Sequence, residues 1–386
     1  MASGIRNAED YEAWPIFSVS SIFDAGDGLD TSRRSTFEQN LQRGLMCTSD
    51  YTGLWGDREA LTQVLQGYDR KFGGNSASSV RFVRACDWNG CAQDVVKYWH
   101  EVVDENSCCL FDSILDRLPP IARSWVDSAT PDEPCSSASA ADAHADILLW
   151  LQEHKSMAFP FNATSKCLTH GGRCFVNPLL AMAKRSKEKQ QREAKRLRRS
   201  DSSSSAQAST SAPLVMNNAG TTCTGWTPAG KTLRFADPSE VPHAVYQVER
   251  GAAAESGWEN LFVQGNSEKH DYITKLAKPL KHTRTVIRIK WTPTKGGYPL
   301  RRPRSYTAGI SQSTMVWLGP VDEEDIQLHF EHFFKKDLLC DASIFLKGSP
   351  DDLLQEIGTS RSTSALTQPR LVCKGLLRIP EETLTY

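Results

Sequence analysis

The sequence predicts an α/β fold: a largely parallel sheet with helices packed on its faces. Three stretches carry that prediction. Residues 45–72 read as a strand, a glycine-bearing turn and a helix; residues 80–86 read as a strand that ends at Asp87. Leu214, Val215 and Met216 read as a short buried strand, and the Gly, Thr and Pro residues after them form the loop at its carboxyl end. Loops at the carboxyl ends of the strands of an open α/β sheet form its ligand crevice, so the residues on them are the candidates for function.

With 386 residues the chain can bury a full core, as one large domain with insertions or as two domains. Its 45 Lys and Arg balance 46 Asp and Glu, which excludes a global basic field and leaves nucleic-acid contact to local patches. No apolar run is long enough to span a bilayer, and residues 1–30 lack the basic-then-apolar layout of a signal peptide. The eleven cysteines are scattered without the framework of a secreted disulfide protein, so a reducing intracellular compartment is the expectation.

In chain order, residues 1–35 show no clear periodicity and read as an irregular arm. Residues 36–126 carry the first half of the sheet. Its first helix places Leu61, Val64, Leu65, Tyr68 and Phe72 on one face, and Asp57 and Glu59 suit its amino end. A strand, a glycine turn and a helix together let backbone amides approach a bound group, though many folds share that turn. Asp87, closing the second strand, can accept both hydroxyls of a ribose or simply face solvent. A third strand at 108–111 runs into Asp112.

Residues 127–183 form an insert: a Ser, Ala, Asp and Pro linker over 127–143, then a short helix with a buried face around 147–151. Cys167, His170 and Cys174 offer three soft ligands without a fourth nearby or zinc-finger spacing; ordinary loop residues are the first reading and structural zinc the second. Residues 184–212, basic and then Ser-rich, read as a disordered linker. A nuclear import signal, a phosphate-binding arm and a plain solvated linker all suit that composition.

Residues 213–320 carry the second half. Cys223 sits on its first loop, where it can be a nucleophile or a small idle residue. A helix through Val245 and Arg250, a strand at 260–263 ending in Gln264-Gly265-Asn266, and an alternating strand Arg284–Trp291 follow. Beyond a Gly296-Gly297 turn come Arg301, Arg302 and Arg304, then a strand at 314–318. Residues 321–386 open with a helix burying Ile326, Phe330, Phe333 and Phe334 and hold apolar runs at 344–346 and 371–373.

The segment Thr222-Cys223-Thr224-Gly225-Trp226-Thr227-Pro228-Ala229-Gly230 resembles the cysteine loop of DNA cytosine-5 methyltransferases, whose pattern is like Pro-Cys-Gln-Pro-Phe-Ser-x-Ala-Gly. The cysteine, the aromatic, a hydroxyl residue and Ala-Gly keep their places, and the first proline is lost. Further on, Gln264-Gly265-Asn266 stands where the family has Glu-Asn-Val, and Leu300-Arg301-Arg302-Pro303-Arg304 where it has Gln-Arg-Arg-x-Arg. Upstream, Asp50, Tyr51 and Gly53 fit the family's Asp-x-Phe-x-Gly-x-Gly, with Trp55 in the second glycine place and Gly56 one residue late. The likeness covers 45–116 loosely and 213–320 well.

That resemblance implies an S-adenosylmethionine-dependent methyltransferase sheet interrupted by a basic insert. It implies a cofactor held by Asp50, Tyr51, Gly53, Asp87 and Asp112, with Ser113 the alternative to Asp112. It further implies methyl transfer to C5 of cytosine in DNA, in the nucleus, with Cys223 adding to C6, Arg302 and Arg304 steadying the base, and Asn266 beside them. Gly265 departs from the pattern, because the family places an acid there against N3 of the base. Glu259 lies on the far side of the strand, and Glu268 is the only near substitute. Losing such a proton donor removes a factor of roughly 10²–10⁴ in rate, so a lapsed relative that binds nucleic acid or a protein without turnover is the alternative. A cysteine hydrolase pairing Cys223 with His243 comes third, for want of a group to orient that histidine. The family's large target-recognition insert and its C-terminal Asn motif are not found.

Overall fold

The computed structural model describes residues 6–102, 108–131, 136–184, 212–221, 226, 232–267, 280–317, 319–320 and 322–340. By contacts the chain divides into Met1–Leu339 and Cys340–Tyr386, and every element named below lies in the first unit.

The organising element is a seven-stranded sheet. Its strands are β1 (Leu45–Asp50), β2 (Val80–Cys86), β3 (Cys109–Phe111), β6 (Leu214–Gly220), β7 (Leu261–Ser267), β8 (Arg284–Trp291) and β9 (Arg304–Ser311), in the spatial order β3-β2-β1-β6-β7-β9-β8. Strands β3 to β7 run parallel, and β9 lies antiparallel to both β7 and β8. This is the α/β, Rossmann-like sheet that the sequence predicts. The parallel strands are short; β1 is buried from Met46 onward, β2 from Phe82 onward and β3 throughout, because both faces are covered there.

On one face lie α4 (Gly56–Phe72) and α5 (Gly90–Val102), where Leu61 and Val96 meet Cys47, Phe82 and Leu110. On the other lies α9 (Glu240–Glu255), backed by α6 (Pro120–Ala129) and α7 (Ser137–Glu153), where Val245 joins Phe111, Ala219, Val126 and Ile147. A small hairpin, β4 (Thr164–Lys166) with β5 (Arg173–Phe175), follows the short helix α8 (Lys155–Ala158). Helix α10 (Glu323–Phe334) packs on β8, with Ile326 against Ile287 and Ile310.

Three stretches depart from the sequence reading. The arm at 1–35 holds α1 (Ala8–Glu12), α2 (Trp14–Phe23) and the start of α3 (Asp30–Arg43). Its helices are fixed by partners rather than by their own periodicity: Val19 and Phe23 pack on Tyr68, Phe37 and Phe72. Gly67 makes room for that contact, since a Cβ there would lie 2.9 Å from the backbone of Pro15. The linker at 127–143 instead ends α6 and begins α7, whose Ser136 side chain accepts the Ser139 N–H. Serine-rich composition hid a stretch that is also rich in alanine, the best helix former. The strand expected at 314–318 lies earlier, as β9, and Met315 and Trp317 pack beside Ile326 without pairing. The basic run beyond residue 184, the Ser-rich tract to 211 and the runs at 344–346 and 371–373 lie outside the described residues.

Candidate functional site

The carboxyl ends of β1, β2 and β3 surround a cavity of about 400 Å³, whose wall includes Tyr51, Asp87, Trp88, Asp112, Ile114 and Ser239. Chain order reverses between β1 and β6, and such a switch point opens a crevice in any doubly wound sheet.

The turn after β1 is built on left-handed backbone: Tyr51, Gly53 and Trp55 have φ of 53°, 55° and 59°. Tryptophan therefore holds a conformation that suits glycine, at a place where the resembled pattern has one. Its fully buried indole, edge-on to Phe82 at 5.8 Å, offsets that strain. Thr52 fastens the turn to β2, its N–H and hydroxyl both donating to the Cys86 carbonyl (3.2 and 3.1 Å).

Asp87 is oriented by two backbone donors. Gly53 N–H reaches Oδ2 at 2.7 Å and Asn89 N–H reaches Oδ1 at 2.9 Å. Each oxygen keeps a further lone pair, so the carboxylate can still accept a pair of hydroxyls. Asp112 Oδ1 accepts from Gln93 Nε2 at 2.7 Å, and the same amide donates to the Asp87 carbonyl at 2.8 Å. Gln93 thus sets both acids, a role that sequence reasoning missed. Its signal was a glutamine on the buried face of α5, between Ala92 and Val96.

Trp88, 70% exposed, and Ile114 give the cavity apolar walls. Asp237 adds a third carboxylate, and no lysine or arginine is among the described lining residues. Such a lining favours a sugar-bearing cation over a polyphosphate.

Asp50 is not on that wall. It is fully buried behind it, its carboxylate ion-paired with Arg117 (3.0 Å) and accepting hydrogen bonds from Arg84 (3.0 Å) and from Asn217 Nδ2 (2.9 Å). Burial opposes its ionisation, yet Arg117, Arg84 and Arg250 hold the carboxyl well below its ordinary value. The network extends through Glu249 to Arg250, and from there through Glu259 to Arg284, all in the layer between sheet and α9. Glu259, committed to two arginines, is no substitute acid for a base; Glu268 lies outside the described residues.

The register of β6, β7 and β9 gathers the second group of residues. Gly220 pairs with Gly265, Asn266 with Ser305, and Ser267 with Arg304. Facing positions share a side of the sheet, so Gly265 and Arg304 lie on one side and Asn266 on the other, toward α9. Asn266 is fully buried; its Oδ1 accepts from the Thr221 hydroxyl, which also donates to the Gly265 carbonyl at 3.1 Å. Thr221 thereby ties the entry of the cysteine loop to the end of β7. The other side of the loop is tied by Trp226, whose Nε1–H donates to Glu240 on α9 at 2.8 Å. Cys223, between these anchors, lies outside the described residues.

Arg304, half-buried, donates to the Pro303 carbonyl at 2.9 Å, and Arg302 is exposed. His243 does have orienting groups: the Gln264 and Gln247 amides reach its Nε2 at 2.6 and 3.2 Å, and Glu240 lies 4.0 Å from Nδ1. Those bonds occupy the nitrogen a hydrolase would use on a thiol.

No family model and no curated protein matches the sequence. Among solved structures, the chain is similar to a Spodoptera frugiperda DNMT2 triple mutant, with 12% identity, TM-score 0.34, and 72% of this chain and 54% of that one covered. It is also similar to a putative DNA modification methyltransferase encoded within an E. coli prophage, with 10% identity, TM-score 0.36, and coverage of 80% and 56%. A third is the Entamoeba histolytica methyltransferase EhMeth, with 9% identity, TM-score 0.34, and coverage of 82% and 66%. The match spans just over half the length of the first two.

Proposed function

We propose that this chain transfers a methyl group from S-adenosylmethionine to C5 of cytosine in DNA, with Cys223 as nucleophile. The observation that carries the reading is the sheet register. The strand end leading to Cys223, the position of the missing acid at Gly265 and the arginine at 304 stand on three neighbouring strands, β6, β7 and β9. Covalent geometry keeps a residue two positions past Thr221 within about 7 Å of it.

The cavity suits the cofactor: Asp87 can take ribose hydroxyls, Trp88 and Ile114 can flank a purine, and the carboxylates favour a cation. When bound, S-adenosylmethionine supplies a methyl group on a sulfonium leaving group. The Cys223 thiolate adds to C6 of an extruded cytosine, which makes the C5–C6 π pair available at C5. C5 takes the methyl group, and loss of its proton then expels the thiolate and restores the double bond. Arg304 offers its fork of donors to the base carbonyl, and exposed Arg302 suits a backbone phosphate. Asn266 acts as a positioning residue through Thr221. The basic run at 184–199 suits nuclear import and phosphate contact.

Gly265 favours a second reading, a lapsed enzyme that binds nucleic acid without turnover. One experiment separates the two: S-adenosylmethionine and duplex DNA bearing 5-fluorocytosine are incubated with the protein, and a covalent adduct is sought. The expected result is a slow adduct that Cys223→Ser abolishes and Gly265→Glu quickens by roughly 10²-fold. A Cβ at 265 would lie 3.2 Å from the Tyr306 ring, so Gly265→Glu requires that partly exposed ring to shift. A fast wild-type adduct would overturn the account of Gly265. No adduct from either protein, with no cofactor binding, would remove the enzyme reading.

A further inference from the structure

The fold supplies the fourth ligand that Cys167, His170 and Cys174 lack in sequence. Cys109, on β3, brings its Sγ to 3.8 Å from His170 Nδ1, while Cys167 and Cys174 stand at 3.2 and 3.5 Å from the same nitrogen. All four ligand atoms lie within 4.8 Å of one another. We propose that these residues form a closed, structural zinc site that fastens the β4–β5 hairpin to the edge of the central sheet.

The distances fit a tetrahedron. Zn–S bonds of about 2.3 Å and a Zn–N bond of about 2.0 Å at the tetrahedral angle separate sulfur from nitrogen by roughly 3.5 Å. Three thiolates and an imidazole are also the donor set that selects zinc over the hard cations. Four protein ligands leave no position for water or substrate, so the metal is structural.

The backbone prepares the cluster. Leu168 N–H donates to the Leu110 carbonyl at 2.8 Å and the Thr169 hydroxyl to the Cys108 carbonyl at 2.9 Å, which lays the 167–170 turn along β3. Cys167 N–H donates to the Gly172 carbonyl at 2.8 Å, and Gly171 N–H to the Cys167 carbonyl at 3.1 Å. Gly171 has φ of 65°, the left-handed backbone that closes this turn. The hairpin needs a fastening: each strand is three residues long, too short to hold by pairing alone. It covers β3, the outermost strand on its side, whose open edge would otherwise invite pairing with other chains. Cys109 and Cys167 are buried, Cys174 is half-buried and His170 is exposed, so the metal can load from solvent.

The test is metal analysis of the full chain, purified from zinc-containing medium without chelator, followed by exchange for cobalt(II). The expected result is one zinc per chain and, with cobalt, the absorption of a tetrahedral three-thiolate site. His170→Ala and Cys174→Ser lose the metal, whereas Cys91→Ser, at an exposed cysteine outside the cluster, keeps it. If the ligand variants fail to fold, the wild-type cobalt spectrum decides: an oxygen-type octahedral spectrum, or no bound metal, overturns the proposal. An intact mass showing a disulfide among these cysteines and no metal overturns it too.

Discussion

Asp87 shows how much one side chain can be asked to do. Its two oxygens hold the turn at Gly53 and the amino end of α5 at Asn89, while facing the cavity. Charge-assisted hydrogen bonds are worth about 1.5–3 kcal/mol each, so Asp87→Ala should weaken S-adenosylmethionine binding by at least about tenfold. Titration calorimetry reads this directly, and unchanged affinity would end the role given to Asp87. Asp87 and Asp112 were legible as acids just past the ends of β2 and β3, and both line the cavity. The sequence made Asp50 misleading: adjacent to Tyr51 in the chain, it points into the opposite environment, and its three guanidinium partners come from β2, from the segment before α6 and from α9. No local pattern encodes such a meeting.

At the level of strands and helices, β1, β2 and β6 were readable from the short apolar runs they carry, although Thr48, Ser49, Asp50, Arg84 and Asn217 are buried beside those runs. The antiparallel pair at the far edge was harder. Strand β9 carries small residues, and one of them is required: Gly309 pairs with Phe262 on the adjacent strand β7, and a Cβ there would lie 2.1 Å from the ring. Phe262 is fully buried beneath the Arg284 guanidinium, so it has little room to turn away. Gly309→Ala should therefore destabilise the protein by about 1–3 kcal/mol, measured by urea unfolding. Adding Phe262→Leu should recover part of that loss; no destabilisation from the alanine alone would contradict the packing described. The N-terminal helices were illegible for a related reason, since their order comes from Tyr68 and Phe72 on α4.

The molecule as a whole carries a layer of buried charge between its sheet and α9. Asp50 and Glu249 are both buried beside guanidinium groups that hold their carboxyls below the ordinary values of 3.8 and 4.5, against the opposing effect of burial. A depressed carboxyl contributes stability that is present above its ordinary value and is lost as pH falls toward its folded one. Glu259 and Asp57, both raised by burial, work in the other sense, against depressed carboxyls at Asp50 and Glu249 and, nearer the surface, at Asp10, Asp27, Glu38 and Glu331. Stability should hold from neutral pH to about pH 5 and fall steeply below about pH 4. Asp50→Asn should lower stability near neutrality by about 3–5 kcal/mol, because it strands buried arginines. Urea midpoints across that range check both, and a wild type as stable at pH 3 as at pH 6 would refute the account.

The same charges impose an order on synthesis. Asp50, Arg84 and Arg117 precede residue 184, while Glu249 and Arg250 follow residue 212, as does β6, the central neighbour of β1. The part of the chain made first therefore leaves the ribosome with two arginines answered by one aspartate and with its innermost strand unpaired on one side. It must wait, unfinished, for the later part to arrive.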